Sequence, residues 1–439
     1  MILTSDVALV DGKPLPHFAV RVEDGKIVAA GQQLPLSPDE KVLNLGRRAM
    51  LPGAVNAHNH SFQSLLRGFG DDLPFLEWRD RALYRYSPKL GREGVYTGAL
   101  MAFGEMALHG VTTVCDFFYL NDGGNENARA VIAAARALGM RIVLARCFYD
   151  WDGAPAQYRE TAGDARKRFA ELHKEFSGAR DVMICAAPHS LHGASEAMIR
   201  AGVESAQEEG VPWHIHLAEE RYQVDEALKR YGAHPLHAIE QMGLLGPDMV
   251  AVHGCWFDEN ERALLAERGA KLAYNPNSNM FLGDGVTDIV DLVARGVKIA
   301  LGTDGGCSNS RVSVYDEMRA CALLQKVSRA MGEDPNAGQA IDAETCYKMG
   351  TEWGGEVLGL PVGKLAMGFE ADLTFVDLDD PSLWPEQSLA KNIVYSLSSR
   401  AITDVFVAGK PIVRDRALVN VPLAEIGERV RKLTHDWGR

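Results

Sequence analysis

A chain of 439 residues is long enough for one large domain and a smaller one, and 46% hydrophobic with 24% charged residues is ordinary for a water-soluble globular protein. The formal net charge of −13 argues against nucleic acid or an acidic membrane surface as the main partner, while leaving room for a small anion held by a local field. The seven cysteines, at 115, 147, 185, 255, 307, 321 and 346, include no C-x-x-C pair and fall partly in apolar runs, as reduced, buried thiols do rather than a disulfide framework.

In chain order, the first 50 residues read as short strands, "ILTSDVALVD", "HFAVRVEDGKIVAAG" and "KVLNLGRRAML", broken by Asp-Gly and Gly-Gln turn signals. The N-terminus has no basic region leading into a long apolar stretch, and no later run is long enough to span a membrane, so the expected compartment is the cytoplasm. From 51 to 364 short apolar runs alternate with helical segments such as "ARAVIAAARALG". Candidate strands at 51–58, 111–117, 141–147, 181–187, 213–218, 249–254, 271–274 and 298–303 predict a (β/α)8 TIM-like barrel; an open doubly wound sheet is the alternative. The β texture returns in "ADLTFVDLDD" and "ITDVFVAGKPIVRD", so 1–50 plus 365–425 are expected to form one small β-sandwich, and 426–439 a terminal helix.

Chemistry in such a barrel sits at the C-terminal strand ends. Strand one ends in His58-Asn59-His60, strand five carries His214 and His216 with Glu219 after them, strand six ends in His253 and strand eight in Asp304. Side chains two apart share a strand face, so His58 and His60 point the same way. Taken singly, a histidine closing a strand is ordinarily a packed core or rim residue, Asp304 before two glycines is turn chemistry, and Glu219 is a helix-start acid. Their coincidence at four strand ends is what points to one cavity. Three imidazoles and a carboxylate (His58, His60, His216, Asp304) suit one divalent metal ion, zinc before ferrous iron. Such an ion would lower the pKa of a bound water enough to give hydroxide near neutral pH. Asp304 is then ligand and base, Glu219 carries a proton to the leaving group, and His253 orients or polarises. His214 shares parity with His216 and competes with it as a ligand; His216 is preferred because Glu219 follows it.

The segments "PGAVNAHNH", "HIHLAEE", "VAVHGC", "IALGTDGGCSN" and "GKLAMGFEADLTFVDLDD" together resemble the amidohydrolase superfamily, in the family's order from about 45 to 380. The resemblance implies a barrel with a β-sandwich, the metal and catalytic residues just named, a small-molecule substrate, and a homodimer. Binuclear members bridge their metals with a carboxylated lysine on strand four; "VMICAAPHS" has none, which implies the mononuclear deaminase branch. "GTDGGCSN" and "HLAEERYQVDEALKRYGAHPLHAIEQMGLLG" look like hydrolases of aminated or halogenated N-heterocycles. "HNHSFQSLLRG", "FLEWRDRALYR", "DFFYLND", "APHSLH" and "SNMFLGDG" look like formiminoglutamate deiminase, an amidine hydrolase. That second likeness implies substrate contacts at Gln63, Arg79, Tyr119 and His189, with His192 where the family has an arginine. A neutral histidine cannot replace an arginine fork on a carboxylate, so the same dicarboxylate substrate is not expected. The expected activity is metal-dependent hydrolytic release of ammonia from an amidine or an amino-substituted N-heterocycle. Triazine-type dehalogenation is the rival chemistry, and a non-enzymatic scaffold the rival class.

Overall fold

The computed structural model describes residues 1–35 and 39–437. Eight parallel strands lie in sequential order: β1 (Ala54–Asn59), β2 (Val111–Phe118), β3 (Arg141–Phe148), β4 (Val182–Pro188), β5 (Trp213–Leu217), β6 (Met249–His253), β7 (Lys271–Tyr274) and β8 (Ile299–Leu301). Helices return the chain between them, which makes this a TIM-like barrel rather than an open doubly wound sheet. The helix Glu126–Leu138 shows the local logic: Ala128, Val131, Ile132, Ala135 and Leu138 recur at helical spacing and are buried, and Gly139, at φ +82°, ends it in the left-handed conformation that glycine adopts without a Cβ penalty.

β8 is not laddered to β1. The seam is closed by the Asn56 side chain, whose Nδ2 donates to Thr303 Oγ1 at 2.7 Å and whose Oδ1 accepts from Thr303 N at 3.1 Å. One backbone bond follows, Asp304 N to His58 O at 3.0 Å, and it sets strand one's first histidine beside strand eight's aspartate.

Both chain ends build a second sheet of nine strands. Leu373–Asp377 runs antiparallel to Arg48–Pro52, which in turn lies parallel to Ile2–Val10, so segments more than 300 positions apart are neighbours. The sheet encloses its own apolar cluster, with Leu3, Phe18, Val20, Met50, Leu373 and Phe406 among its members. Here the strand expected at 51–58 is corrected: Leu51 and Pro52 belong to this second sheet, and the barrel strand begins after Gly53. The division occurs where Gly53 packs so closely on Thr112 that a Cβ there would stand 2.8 Å from the threonine Cβ. The terminal helix begins at Leu423, three residues before the expected 426, and runs to Thr434; positions 438 and 439 of that expectation, like 36–38 of the N-terminal strands, lie outside the described residues. No described helix is long and apolar enough to cross a membrane. All seven cysteines are free and buried.

Candidate active site

His58 is the next-to-last residue of β1, His60 follows the strand, and His216 lies on β5; their ligand nitrogens fall within 4.8 Å of one another. All three are buried. His60 Nδ1 is 2.6 Å from Phe117 O and His216 Nδ1 is 2.8 Å from His189 O. A carbonyl only accepts, so both Nδ1 atoms carry the proton and both Nε2 lone pairs are free. His58 is more telling: among the described residues neither ring nitrogen makes a hydrogen bond, the approach of Asp304 Oδ1 to Nε2 being an ion-pair contact at 3.4 Å, although the residue is fully buried. Burial pushes His58 down to about 3 and lowers His60 and His216 as well, so the rings are neutral, the form a metal requires.

Asp304, at φ +56°, directs Oδ1 to within 3.4 Å of His58 Nε2 and 3.2 Å of His60 Nε2. Its other oxygen accepts from Ser278 Oγ at 2.6 Å and Ser308 Oγ at 3.1 Å. Burial alone would raise this carboxyl, but His58, His60 and His253 around it hold it well below the usual range, so it is an anion. The glycines after it serve close approach: a side chain at Gly305 would collide with Gln63. Three imidazoles and an anionic carboxylate with an orphaned buried ring among them fit a divalent ion of zinc's kind.

Beside this set, Glu219 Oε1 lies 3.4 Å from His253 Nε2. Left-handed backbone at Ala218 (φ +49°) and His253 (φ +73°) turns the chain sharply at both strand ends, a strain of about 1–3 kcal/mol per residue that only a firmly packed surround sustains. Burial, then the charge of Asp304, raises Glu219 well above the ordinary carboxylate range, while burial lowers His253 to about 4. A neutral acid therefore faces a neutral imidazole.

Gln63, Arg79, Tyr119, His189 and His192 all line one cleft with His60, His216, Glu219, His253 and Asp304; His58 lies behind it. Gln63 Nε2 donates to Tyr119 OH at 2.6 Å. His189 packs 4.4 Å from the Tyr149 ring. Arg79 opens a π-helical turn and lies over the rings of Tyr84 (5.1 Å) and Trp151 (5.6 Å), with Nε donating to Asp80 Oδ1 at 2.9 Å. Burial, then the charges of Arg79 and Arg230, lowers His192 to about 4, so His192 is neutral. The cleft's free volume is about 60 Å³, and it shares Trp151, His192 and His216 with a neighbouring cavity of about 380 Å³. His214 is not in the cleft; it lies deeper in the barrel, 4.0 Å from Cys115 Sγ, and does not compete with His216. Trp78 lines the cleft, its Nε1 donating to Cys307 O at 2.9 Å, whereas Trp256 is exposed and outside the cleft's lining, its Nε1 donating to Asp284 O at 2.7 Å.

Residues that motif reading did not single out complete the site. Asp284 is fully buried, pushed up to about 10 by burial and by Glu219, and accepts from Asn279 Nδ2 at 3.0 Å; Asn279 also reaches His253. Only its place in "SNMFLGDG", close after Asn279, hinted at it. Tyr158 and Tyr222 line the cleft from positions away from the strand ends, and Tyr149 does so from the position directly after β3.

A TIM-like barrel with a histidine-rich, carboxylate-bearing cluster at its strand ends defines a metal-hydrolase class of protein. Residues 49–412 match the amidohydrolase family. The chain belongs to that family and is a hydrolase of carbon–nitrogen bonds. It is 34% identical over 436 residues to the 5-methylthioadenosine/S-adenosylhomocysteine deaminase of Syntrophobacter fumaroxidans, covering 98% of this chain and 95% of that one. It is 32% identical over 425 residues to the 5'-deoxyadenosine deaminase of Methanothermobacter thermautotrophicus, covering 95% and 94%. Among solved structures, an adenosine deaminase from Xanthomonas campestris with bound zinc superimposes at a TM-score of 0.89 with 27% identity, covering 99% of this chain and 97% of that one. An atrazine chlorohydrolase from Arthrobacter aurescens, complexed with zinc, shares the fold at a TM-score of 0.90 and 21% identity, covering 98% of this chain and 99% of that one.

Proposed function

We propose that this protein is a mononuclear, zinc-dependent deaminase that hydrolyses an exocyclic amino group from an adenosine-type N-heterocycle and releases ammonia. The observation that carries the reading is the neutral Glu219–His253 pair, 3.4 Å apart, beside the buried His58, His60, His216 and Asp304 set in an aromatic-walled cleft. The curated relatives act on aminated nucleosides by their names, which favours a ring amine over a formimino amino acid. His192 in place of an arginine points the same way.

A bound divalent ion would be held by His58, His60, His216 and Asp304 and would supply Lewis acidity together with a water of lowered pKa. The chain's own groups do the rest. Tyr119, Tyr149 and Tyr158 wall the cleft with flat aromatic surface, which suits stacking on a planar ring. Glu219, held neutral by its surroundings, protonates a ring nitrogen next to the reacting carbon, and then shuttles the water's proton to the departing amine. His253 hydrogen-bonds the developing charge on the oxygen side, and Asp304 accepts the second of the water's two protons, the first having gone through Glu219. Gln63 and Arg79 orient the substrate, Arg79 reaching any polar or anionic end with its Nη groups. The adjoining cavity of about 380 Å³ takes the part of the substrate that the narrow cleft excludes.

The test is an ammonia-release screen of purified protein against 5'-substituted adenosines, aminopterins, formimino amino acids and aminotriazines, with chloride release from a chlorotriazine in parallel. Ammonia from adenosine-type substrates alone is expected. Turnover confined to formimino compounds, or chloride as the main product, would overturn the assignment. We propose a cytoplasmic homodimer as its assembly. In support, Leu323, Val327 and Met331, four apart on the helix Val314–Met331, form an exposed apolar stripe, and sedimentation as a monomer at micromolar concentration would refute it.

A further inference from the structure

Below the catalytic cleft, the barrel floor holds a second cluster of metal-ligating side chains that the deamination chemistry does not use. Cys115 comes from β2, Cys185 from β4 and His214 from β5, two residues before His216. All three are fully buried, and their ligand atoms lie within 4.8 Å of one another. Cys115 Sγ is 4.0 Å from His214 Nε2, while His214 Nδ1 has no hydrogen-bond partner among the described residues. Thr113 Oγ1, two residues before Cys115 on the same face of β2, is likewise buried and unpartnered.

Buried cysteines alone are ordinary small hydrophobes. An imidazole that is fully buried with a thiol 4.0 Å away as the partner of its Nε2 is different, because a desolvated ring nitrogen with so weak a partner is costly. A metal removes that cost. Zinc–sulfur bonds near 2.3 Å and zinc–nitrogen bonds near 2.0–2.1 Å put tetrahedral ligand atoms roughly 3.4–3.8 Å apart, so closing this cluster on an ion needs a contraction of about 1 Å or less. Two sulfurs and one nitrogen, with no carboxylate, select a softer ion than the three-nitrogen, one-oxygen set above. Two thiolates also neutralise a divalent cation, so the loaded floor would carry no net buried charge.

We propose that Cys115, Cys185 and His214 form a second, thiophilic metal site in the barrel floor that takes a zinc-like divalent ion. Loading breaks two S–H bonds, releases two protons to solvent and forms two metal–sulfur bonds and one metal–nitrogen bond; nothing is oxidised or reduced. Because His214 and His216 share one short strand, an ion here would clamp β5 directly beneath the catalytic set.

Cobalt titration of metal-free full-length protein tests this independently of any substrate. Thiolate-to-cobalt charge transfer absorbs in the near ultraviolet, and the upper centre has no thiolate donor. Wild type is expected to take up two equivalents of Co2+, one of them with that band. Cys115→Ser and Cys185→Ser are each expected to keep one equivalent and lose the band. The wild-type titration decides even if a variant fails to fold: one equivalent without the band, or two without it, overturns the proposal. A band that survives both substitutions does so too, since it would come from other thiols.

Discussion

Asn279 Nδ2 lies 2.9 Å from His253 Nδ1, and the same amide nitrogen reaches Asp284 Oδ2 at 3.0 Å. With the amide donating, His253 Nδ1 is an acceptor and the ring's proton sits on Nε2, the nitrogen that faces Glu219. Asn279→Leu removes the shorter of two amide contacts on Nδ1, the other being Asn275 Nδ2 at 3.4 Å, while leaving the metal set intact. kcat is expected to fall on the order of 10²-fold, as for a misplaced catalytic group, with metal content unchanged by elemental analysis. Wild-type kcat in this variant would show that another group orients the ring.

Glu219 is the proton carrier in the proposed chemistry, and Glu219→Gln should lower kcat about 10²–10⁴-fold. Its raised pKa also dictates the pH profile. The neutral acid is present at low pH and is lost as pH rises through the elevated value, so kcat/KM of the wild type should decline on the alkaline side. That limb should be missing from the residual activity of Glu219→Gln; an unchanged alkaline limb there would assign it to another group.

The orphaned nitrogens of His58 make the upper site metal-hungry in the folded chain only. Zinc at about 1,000 times its dissociation constant should therefore raise unfolding stability by about 4 kcal/mol, and chelation should remove the gain along with activity. Thermal melts with and without zinc check this. His58→Ala should show little zinc-dependent shift from this centre while retaining the barrel's circular dichroism.

Asp116, on β2, is buried beneath Ser61 and accepts from its N–H at 2.6 Å and its hydroxyl at 2.8 Å; burial outweighs these bonds and pushes its carboxyl up to about 7. A folded pKa above the unfolded one means that the folded state holds the proton more tightly. The stabilisation is fully present below about pH 4 and is lost as pH rises through about 7, at most about 4 kcal/mol. Asp116→Asn mimics the protonated form. Urea midpoints at about pH 5 and about pH 8 should differ less in the variant than in wild type.

Arg141 joins the barrel to the second sheet by bonding Glu370 at 2.8 Å and Asp372 at 3.2 Å, with all three side chains nearly or fully buried. Arg141→Leu leaves the buried Asp372 without an arginine and Glu370 with Arg180 alone, and is expected to cost about 3–5 kcal/mol in chemical denaturation. A loss under about 1 kcal/mol would mean that water reaches the pair.

The sequence by itself determined the barrel strands, to within a few residues at most ends, and the histidines and acids that close them. Both are local properties: an apolar run of fixed length makes a buried parallel strand, and the residue after it faces the barrel mouth whatever the rest of the chain does. Tertiary structure decided what depends on partners distant in sequence. His214 and His216 share parity, and only depth along the barrel separates the ring beside Cys115 from the ring at the cleft. Gly53 divides one apolar run between two sheets because Leu373–Asp377 pairs with its first half, and no local pattern carries that register. The roles of Asn279 and Asp284, and the Asn56 side chain that stitches β8 to β1, arise because closing a barrel brings distant polar groups within 3 Å or so. Which of them meet is set by strand stagger and burial, and those are properties of the folded whole.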